Sequence, residues 1–296
     1  MGLDPAPPPP KDNPLTPAKI ALGRKLFFDP ILSRDGSLSC ASCHLPEHAF
    51  SGTTPVAVGI DGLKGRRNAP TLQNRVYGRT QFWDGRATTL EEQALQPIEN
   101  PRELGTTVDA ALQRLKADAD YARSFSEVFK EGVTSRNLAR AIASFERSLL
   151  SGDSRVDRFR AGDFSALSDS ERQGLWLFES RGQCWRCHSG RNFSDEAFRN
   201  TGVSWGGDPV DLGRFEVTGK DGDRGKFKTP TLRNVSLTAP YMHDGSLDSL
   251  KEVVEFYNRG GGGNARLDPL MKPLELSQAD IENLTAFLKA LAGQPE

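Results

Sequence analysis

Cysteine occurs four times in this 296-residue chain, in two five-residue clusters, Cys40-Ala41-Ser42-Cys43-His44 and Cys184-Trp185-Arg186-Cys187-His188. Two thiols three positions apart, followed at once by an imidazole, can act together on one group. The sulfurs form thioethers with the vinyl groups of a haem, and the histidine supplies a nitrogen to its iron. A lone Cys-x-x-Cys also serves as a redox dithiol or as half of a zinc site. A histidine directly after it, found twice, points away from both. No cysteine is left over for a disulfide or a thiol nucleophile. The expected cofactors are therefore two covalently bound c-type haems, with His44 and His188 as proximal ligands. Such haems are attached outside the cytoplasm, so the expected address is the periplasm, with an export signal not present in this sequence.

The elements that must position these motifs come in two copies. Before the first, Thr16 and Pro17 open a helix as N-cap and first residue, and that helix carries Gly23-Arg24-Lys25-Leu26-Phe27. Before the second, Ser168 and Glu171 form a capping-box pattern, and the helix carries Gly174-Leu175-Trp176-Leu177-Phe178. After the motifs, Pro70-Thr71-Leu72-Gln73-Asn74 recurs as Pro230-Thr231-Leu232-Arg233-Asn234, an offset of 160. At that offset Asp84-Gly85 becomes Asp244-Gly245, Leu90 becomes Leu250 and Glu92 becomes Glu252. Each copy closes with an amphipathic helix, Asn137 to Leu150 and Gln278 to Leu291. The fold class expected is mostly α: two tandem cytochrome c-like domains, each binding one covalent haem. The expected division is a Pro-rich tail over 1–14, an N-terminal domain over 15–160 and a C-terminal domain over 161–296, the join lying in the polar stretch Gly152 to Leu167. The copies also differ. Trp83 stands where the second has His243, and Pro97 where the second has Tyr257.

The totals exclude other classes. Lys plus Arg (38) nearly balances Asp plus Glu (39), leaving no basic surplus for nucleic acid. No apolar run is long enough for stable membrane insertion. Pro5 to Pro10 suggest a stiff tether or disordered tail at a mature or recombinant N-terminus.

Three further segments carry a resemblance. Gly65-Arg66-Arg67-Asn68-Ala69-Pro70-Thr71, Gln81-Phe82-Trp83-Asp84-Gly85-Arg86-Ala87 and Leu237-Thr238-Ala239-Pro240-Tyr241-Met242-His243, with the paired haem motifs, resemble the bacterial di-haem cytochrome c peroxidase and MauG family from about Leu15 to Leu291. The resemblance implies that Trp83 lies between the haems and aids electron transfer. It implies that Gln93 and Glu103 line the peroxide pocket. It implies a calcium ion held by Asn68 and the carbonyls of Thr238 and Pro240. Two departures from the ordinary peroxidase pattern point to the MauG-like branch. Ile60 occupies the place of the histidine that caps the first haem, and Tyr257 occupies the place of the distal methionine of the second. The resemblance thus implies an open five-coordinate N-terminal haem and a His188/Tyr257-ligated C-terminal haem that stores the second oxidising equivalent, a bis-ferryl type of state.

Each of these residues has a plainer role available. Glu103 in Asn-Pro-Arg-Glu-Leu could be a surface acid, Trp83 and Tyr257 packed aromatics, and Asn68 a turn residue. Met271 and Met242 are alternative ligands for the second iron. His48 suits a loop, His243 a hydrogen-bonding position, and Trp185 or Trp205 a relay to a surface partner. Three functions follow. The first is a peroxidase taking hydrogen peroxide and electrons from a small cytochrome c or cupredoxin. The second is a MauG-like oxidase modifying tryptophan or tyrosine side chains of a partner protein. The third is a simple di-haem electron carrier.

Overall fold

The computed structural model describes residues 2–203, 205–207 and 209–295. Regular structure is mostly helical, with ten α-helices and four two-residue strands among the described residues. The chain divides into two compact units. The N-terminal unit comprises residues 6–81 and 87–150; the C-terminal unit comprises residues 1–5, 82–86 and 151–296.

In the N-terminal unit, α1 (Pro17–Phe28) starts where Thr16 accepts a hydrogen bond from Lys19 N and Pro17 takes the first helical position. It crosses α5 (Ser135–Ser148). Gly23 makes the crossing possible, because a Cβ there would lie 1.9 Å from the Ala141 carbonyl oxygen. Between them in sequence run α2 (Leu90–Glu99), α3 (Val108–Ala117) and α4 (Ala119–Val128). Leu26, Leu115, Phe125, Leu138 and Ala141 form the centre of the core, each fully buried. The Pro-rich start ends in an anchored residue. Asn13 is buried, donates to Glu91 Oε1 at 2.7 Å and to Arg140 O at 3.1 Å, and accepts from Lys19 Nζ.

The C-terminal unit repeats this plan. Here α7 (Asp169–Glu179) begins with the Ser168/Glu171 capping box and crosses α10 (Gln278–Lys289). A Cβ on Gly174 would lie 2.0 Å from the Asn283 carbonyl oxygen. Leu177, Phe178, Leu284 and Phe287 fill the contact. The remaining helices are α6 (Arg155–Arg160), α8 (Phe215–Thr218) and α9 (Leu250–Asn258). Strands β1 (Ser151–Gly152) and β4 (Gln294–Pro295) pair antiparallel, as do β2 (Phe198–Arg199) and β3 (Phe227–Lys228). The polar stretch Gly152 to Leu167, read from sequence as a join, holds α6 and a fully buried Val156. Within it Asp157 makes a buried ion pair with Arg233, Oδ2 to Nη1 2.7 Å.

The sequence repeat is also a backbone repeat. Asn74 and Asn234 both adopt the left-handed conformation, with φ 61° and 59°. Gln81 bridges Ala87 as Tyr241 bridges Leu247. Thr89 caps α2 as Ser249 caps α9.

Candidate active site

Both Cys-x-x-Cys-His motifs fold as a single 3-10 turn, Cys40–Ser42 and Cys184–Arg186, closed by a bond from the histidine N–H back to the first cysteine carbonyl, at 3.0 and 2.9 Å. The turn sets the imidazole after the second thiol. His44 Nδ1 then lies 3.0 Å from Phe50 O, and His188 Nδ1 lies 3.0 Å from Phe193 O. A carbonyl only accepts, so Nδ1 carries the proton and Nε2 keeps its lone pair for a metal. Burial lowers the pKa of both imidazoles, against hydrogen bonds to Phe50 and Phe193 that raise it, so both are neutral ligands at pH 7. Burial also pushes the Cys40 and Cys184 thiols up to about 12, which disfavours thiolate redox chemistry. All four cysteines are free of disulfides. Neutral sulfurs in pairs beside a tautomer-fixed imidazole fit covalent haem attachment in both units.

The N-terminal unit brings Glu103 near the thiols of its motif. Glu103 adds electrostatically to the raised thiols of both Cys43 and Cys40. Its carboxylate accepts from Asn100 Nδ2 at 2.6 Å, and its carbonyl accepts from Ile60 N at 2.9 Å. Ile60 is 1 % exposed, and its Cγ2 would lie 2.8 Å from a Cβ on Gly105. Gln93, on α2, has a buried Oε1 with no hydrogen-bond partner among the described residues. Pro97 lies inside α2 at the place matching Tyr257. Neither Ile60 nor Pro97 has a side-chain donor for iron. His48 sits in the 3-10 turn Pro46–His48, its backbone bonded to Leu45 and Ser51.

In the C-terminal unit Tyr257 lies on α9, half-buried. Burial raises its phenol above the usual range, and the Cys187 and Cys184 sulfurs add to the rise. Such a phenol ionises only against a cation placed beside it. Met271 packs beside Gly261, its Cε 2.7 Å from where a Cβ on that glycine would lie. Met242 occupies a left-handed turn position, φ 72°. Trp83 belongs to this unit. Its carbonyl accepts from Lys228 N at 2.8 Å, and its ring is 6.4 Å from His243, edge to face. His243 is buried and stacks on Phe227 at 3.5 Å. Trp185 is 48 % exposed and lines a cavity of about 460 Å³ with His188, Phe178, Phe193, Arg160 and Arg191. Trp205 packs where a Cβ on Gly225 would fall.

The residues expected to hold calcium make contacts inside their own units. Asn68 is buried and donates to Thr54 O at 3.0 Å. Thr238 Oγ1 donates to Val235 O at 3.1 Å, and Pro240 lies in the following turn. Among the described residues, no group of three or more His, Cys, Asp or Glu is arranged around a metal ion.

A family model described as di-haem cytochrome c peroxidase matches residues 17–165. The methylamine utilization protein MauG of Methylorubrum extorquens is 41 % identical over 290 residues, covering 97 % of this chain and 82 % of that protein. The chain belongs to the di-haem cytochrome c peroxidase and MauG family. The cytochrome c551 peroxidase of Pseudomonas aeruginosa is 38 % identical over 292 residues, covering 96 % and 81 %. Among solved structures, a MauG-like protein associated with microbial copper homeostasis superposes with TM-score 0.91 at 35 % identity, over 98 % of this chain and 94 % of that one. Membership makes the protein a haem-containing oxidoreductase, with two c-type haems implied by its two motifs and hydrogen peroxide as the family's substrate. Among the described residues, no helix is long and apolar enough to cross a membrane.

Sequence reasoning did not single out Phe50 and Phe193, whose carbonyls fix the histidine tautomers. A backbone acceptor has no side-chain signature; the only signal was a phenylalanine five or six positions after each histidine.

Proposed function

We propose that the protein consists of two cytochrome c-like haem domains and reduces hydrogen peroxide at the N-terminal haem, while the C-terminal haem, ligated by His188 and Tyr257, holds the second oxidising equivalent. One observation carries the reading. At the two positions that correspond to the family's capping histidine and to Tyr257 of the second unit, the N-terminal unit carries Ile60, buried, and Pro97. An iron bound by His44 supplies an electrophilic, redox-active centre for peroxide. The chain supplies the proton chemistry. The Glu103 carboxylate, oriented by Asn100 Nδ2, takes the proton from one peroxide oxygen and returns it to the other as the O–O bond breaks. Gln93 Oε1, buried and unpartnered among the described residues, accepts a hydrogen bond from the peroxide or a water and orients it. In the C-terminal unit the phenol oxygen of Tyr257, an anionic donor once ionised, favours the oxidised metal where a methionine favours the reduced one. Trp83, edge-on to His243, is the aromatic relay of the proposal.

The test is addition of one equivalent of peroxide to the fully ferric holoprotein. A fast change in the N-terminal haem spectrum without prior reduction is expected. A protein inert until a reductant is added overturns the open-haem reading.

The second reading is oxidation of tryptophan or tyrosine side chains on a partner protein, favoured by the MauG likeness and by the exposed Trp185 beside His188. Steady-state turnover with a reduced cytochrome c or cupredoxin separates the two. Rapid turnover supports the peroxidase, and negligible turnover supports the partner-protein oxidase. A simple electron carrier gains nothing from a haem without a distal donor. The periplasm remains the proposed address, because c-type haem is attached outside the cytoplasm.

A further inference from the structure

The two units share a helix crossing but differ at one buried position on it. Gly23 approaches Ala141 O and Phe145, and Gly174 approaches Asn283 O and Phe287. Asn74 N bonds Leu149 O, and Asn234 N bonds Leu291 O. This register aligns Glu146 of α5 with Leu288 of α10. Both are buried, at 4 % and 7 % exposed. Arg75, in the turn after Asn74, aligns with Val235. The N-terminal unit thus places a carboxyl and a guanidinium where the C-terminal unit has two aliphatic side chains.

Glu146 is not there to complete an ion pair. Its Oε2 is fully buried with no hydrogen-bond partner among the described residues. The charged groups around it each make hydrogen bonds to other residues. On its own helix, Arg147 is held by Glu91 of α2 through two 2.6 Å bonds, and Glu91 also accepts from Asn13. Arg75 donates from Nε to Gln81 Oε1 at 3.0 Å and from Nη2 to Thr80 O at 2.8 Å. On α1, Lys19 is bonded to Asn13 and Pro14. On the haem-attachment turn, the Cys40 sulfur feels the Glu146 charge directly. Burial, reinforced by Glu91 and opposed by Arg147 and Arg75, pushes the Glu146 carboxyl up to about 8.

We propose that Glu146 is the redox-linked proton carrier of the N-terminal haem: in the alkaline range where its carboxylate is ionised, it takes up to one proton from solvent for each electron that haem receives and releases it when the electron leaves. At full coupling the balance is one electron in, one proton in, with no change in net charge inside the unit. Burying an electron without a compensating proton is costly in a low-dielectric interior, which is the physical reason for the coupling. It also matches the chemistry of this family's substrate, since reducing one peroxide to two waters consumes two electrons and two protons. Glu146 is a positioning residue in this account and does not touch peroxide. The inference rests on the N-terminal unit carrying a haem and not on the peroxide chemistry of Glu103.

The experiment follows the reduction potential of the N-terminal haem against pH in the holoprotein, with the C-terminal haem as internal control. In the wild type the reduction equilibrium constant should fall by up to tenfold per pH unit as pH rises through about 8. Glu146→Gln keeps the shape and fixes the neutral form. It should hold the N-terminal potential flat at the wild-type acidic plateau and leave the C-terminal haem unchanged. A variant that keeps the wild-type pH dependence overturns the proposal. So does a constant offset at every pH, which would mean a permanently ionised carboxylate. A measurement on the wild type alone covers a variant that fails to fold. Reduction in weak buffer near pH 8 should take up a proton beyond that taken up near pH 6, with a carboxylic-acid band appearing in the redox-difference infrared spectrum. Absence of both the proton and the band overturns it equally.

Discussion

Replacing Gly174 by alanine tests the helix crossing that positions the second haem motif. The new Cβ would lie 2.0 Å from the Asn283 carbonyl oxygen and 2.7 Å from Phe287 Cβ. Carbon and carbonyl oxygen normally approach to about 3.3 Å, so α7 and α10 must separate by roughly 1.3 Å. Both partners are backbone or the root of a side chain, so no rotamer change relieves the contact. Separation on that scale forfeits a quarter to a half of the dispersion well for each displaced pair among Leu177, Phe178, Leu284 and Phe287, all buried. Overpacking of a core costs about 1–3 kcal/mol, and the upper end applies where neither helix can yield. Alanine returns about 1 kcal/mol of helix propensity. The net expectation is a loss of about 2 kcal/mol. Urea unfolding of the ferric holoprotein should show it as a lower midpoint at unchanged slope. Unchanged or increased stability would refute the reasoning, because only the propensity gain would then remain. Gly23→Ala, facing Ala141 O at 1.9 Å, should behave the same way.

Glu103→Gln should leave both haems attached and peroxide binding intact while slowing the O–O step by about 10²–10⁴-fold, measured by stopped-flow absorbance. Asp157→Asn strands the buried Arg233 guanidinium and should cost about 3–5 kcal/mol in the same urea assay. Burial alone would raise the Asp157 carboxyl, but its bonds to Arg233 and Ser154 and the Arg233 charge hold it below the usual range. Its contribution is therefore complete above about pH 4 and lost as pH falls through the lower folded value, and the Asn variant should lack that loss.

What the sequence made legible was whatever a residue type states locally. Thr16 with Pro17, and Ser168 with Glu171, mark helix starts because caps act within four residues. The glycines of Gly-x-x-Leu-Phe were visible as a repeat, though their reason, backbone touching backbone, needed the partner helix. Polar composition made Gly152 to Leu167 resemble a linker. Its buried Val156 and its Asp157 answer to Arg233, 76 positions away in sequence, which no window along the chain can see. Asn13 was absorbed into a Pro-rich start for the same reason, its partners being Glu91 and Arg140. Glu146 was hidden beside the apolar stripe Ile142, Phe145 and Leu149, and only the register against Leu288 exposes it as an acid in a core position.

One attachment motif is proposed to serve two different irons, open beside His44 and closed by Tyr257 beside His188. Electron paramagnetic resonance of the resting ferric holoprotein, recorded with Tyr257→Phe, tests it most directly. One high-spin and one low-spin haem are expected in the wild type, with only the low-spin signal lost or replaced in the variant. Two low-spin haems in the wild type, or a low-spin signal untouched by the Tyr257 change, would contradict it.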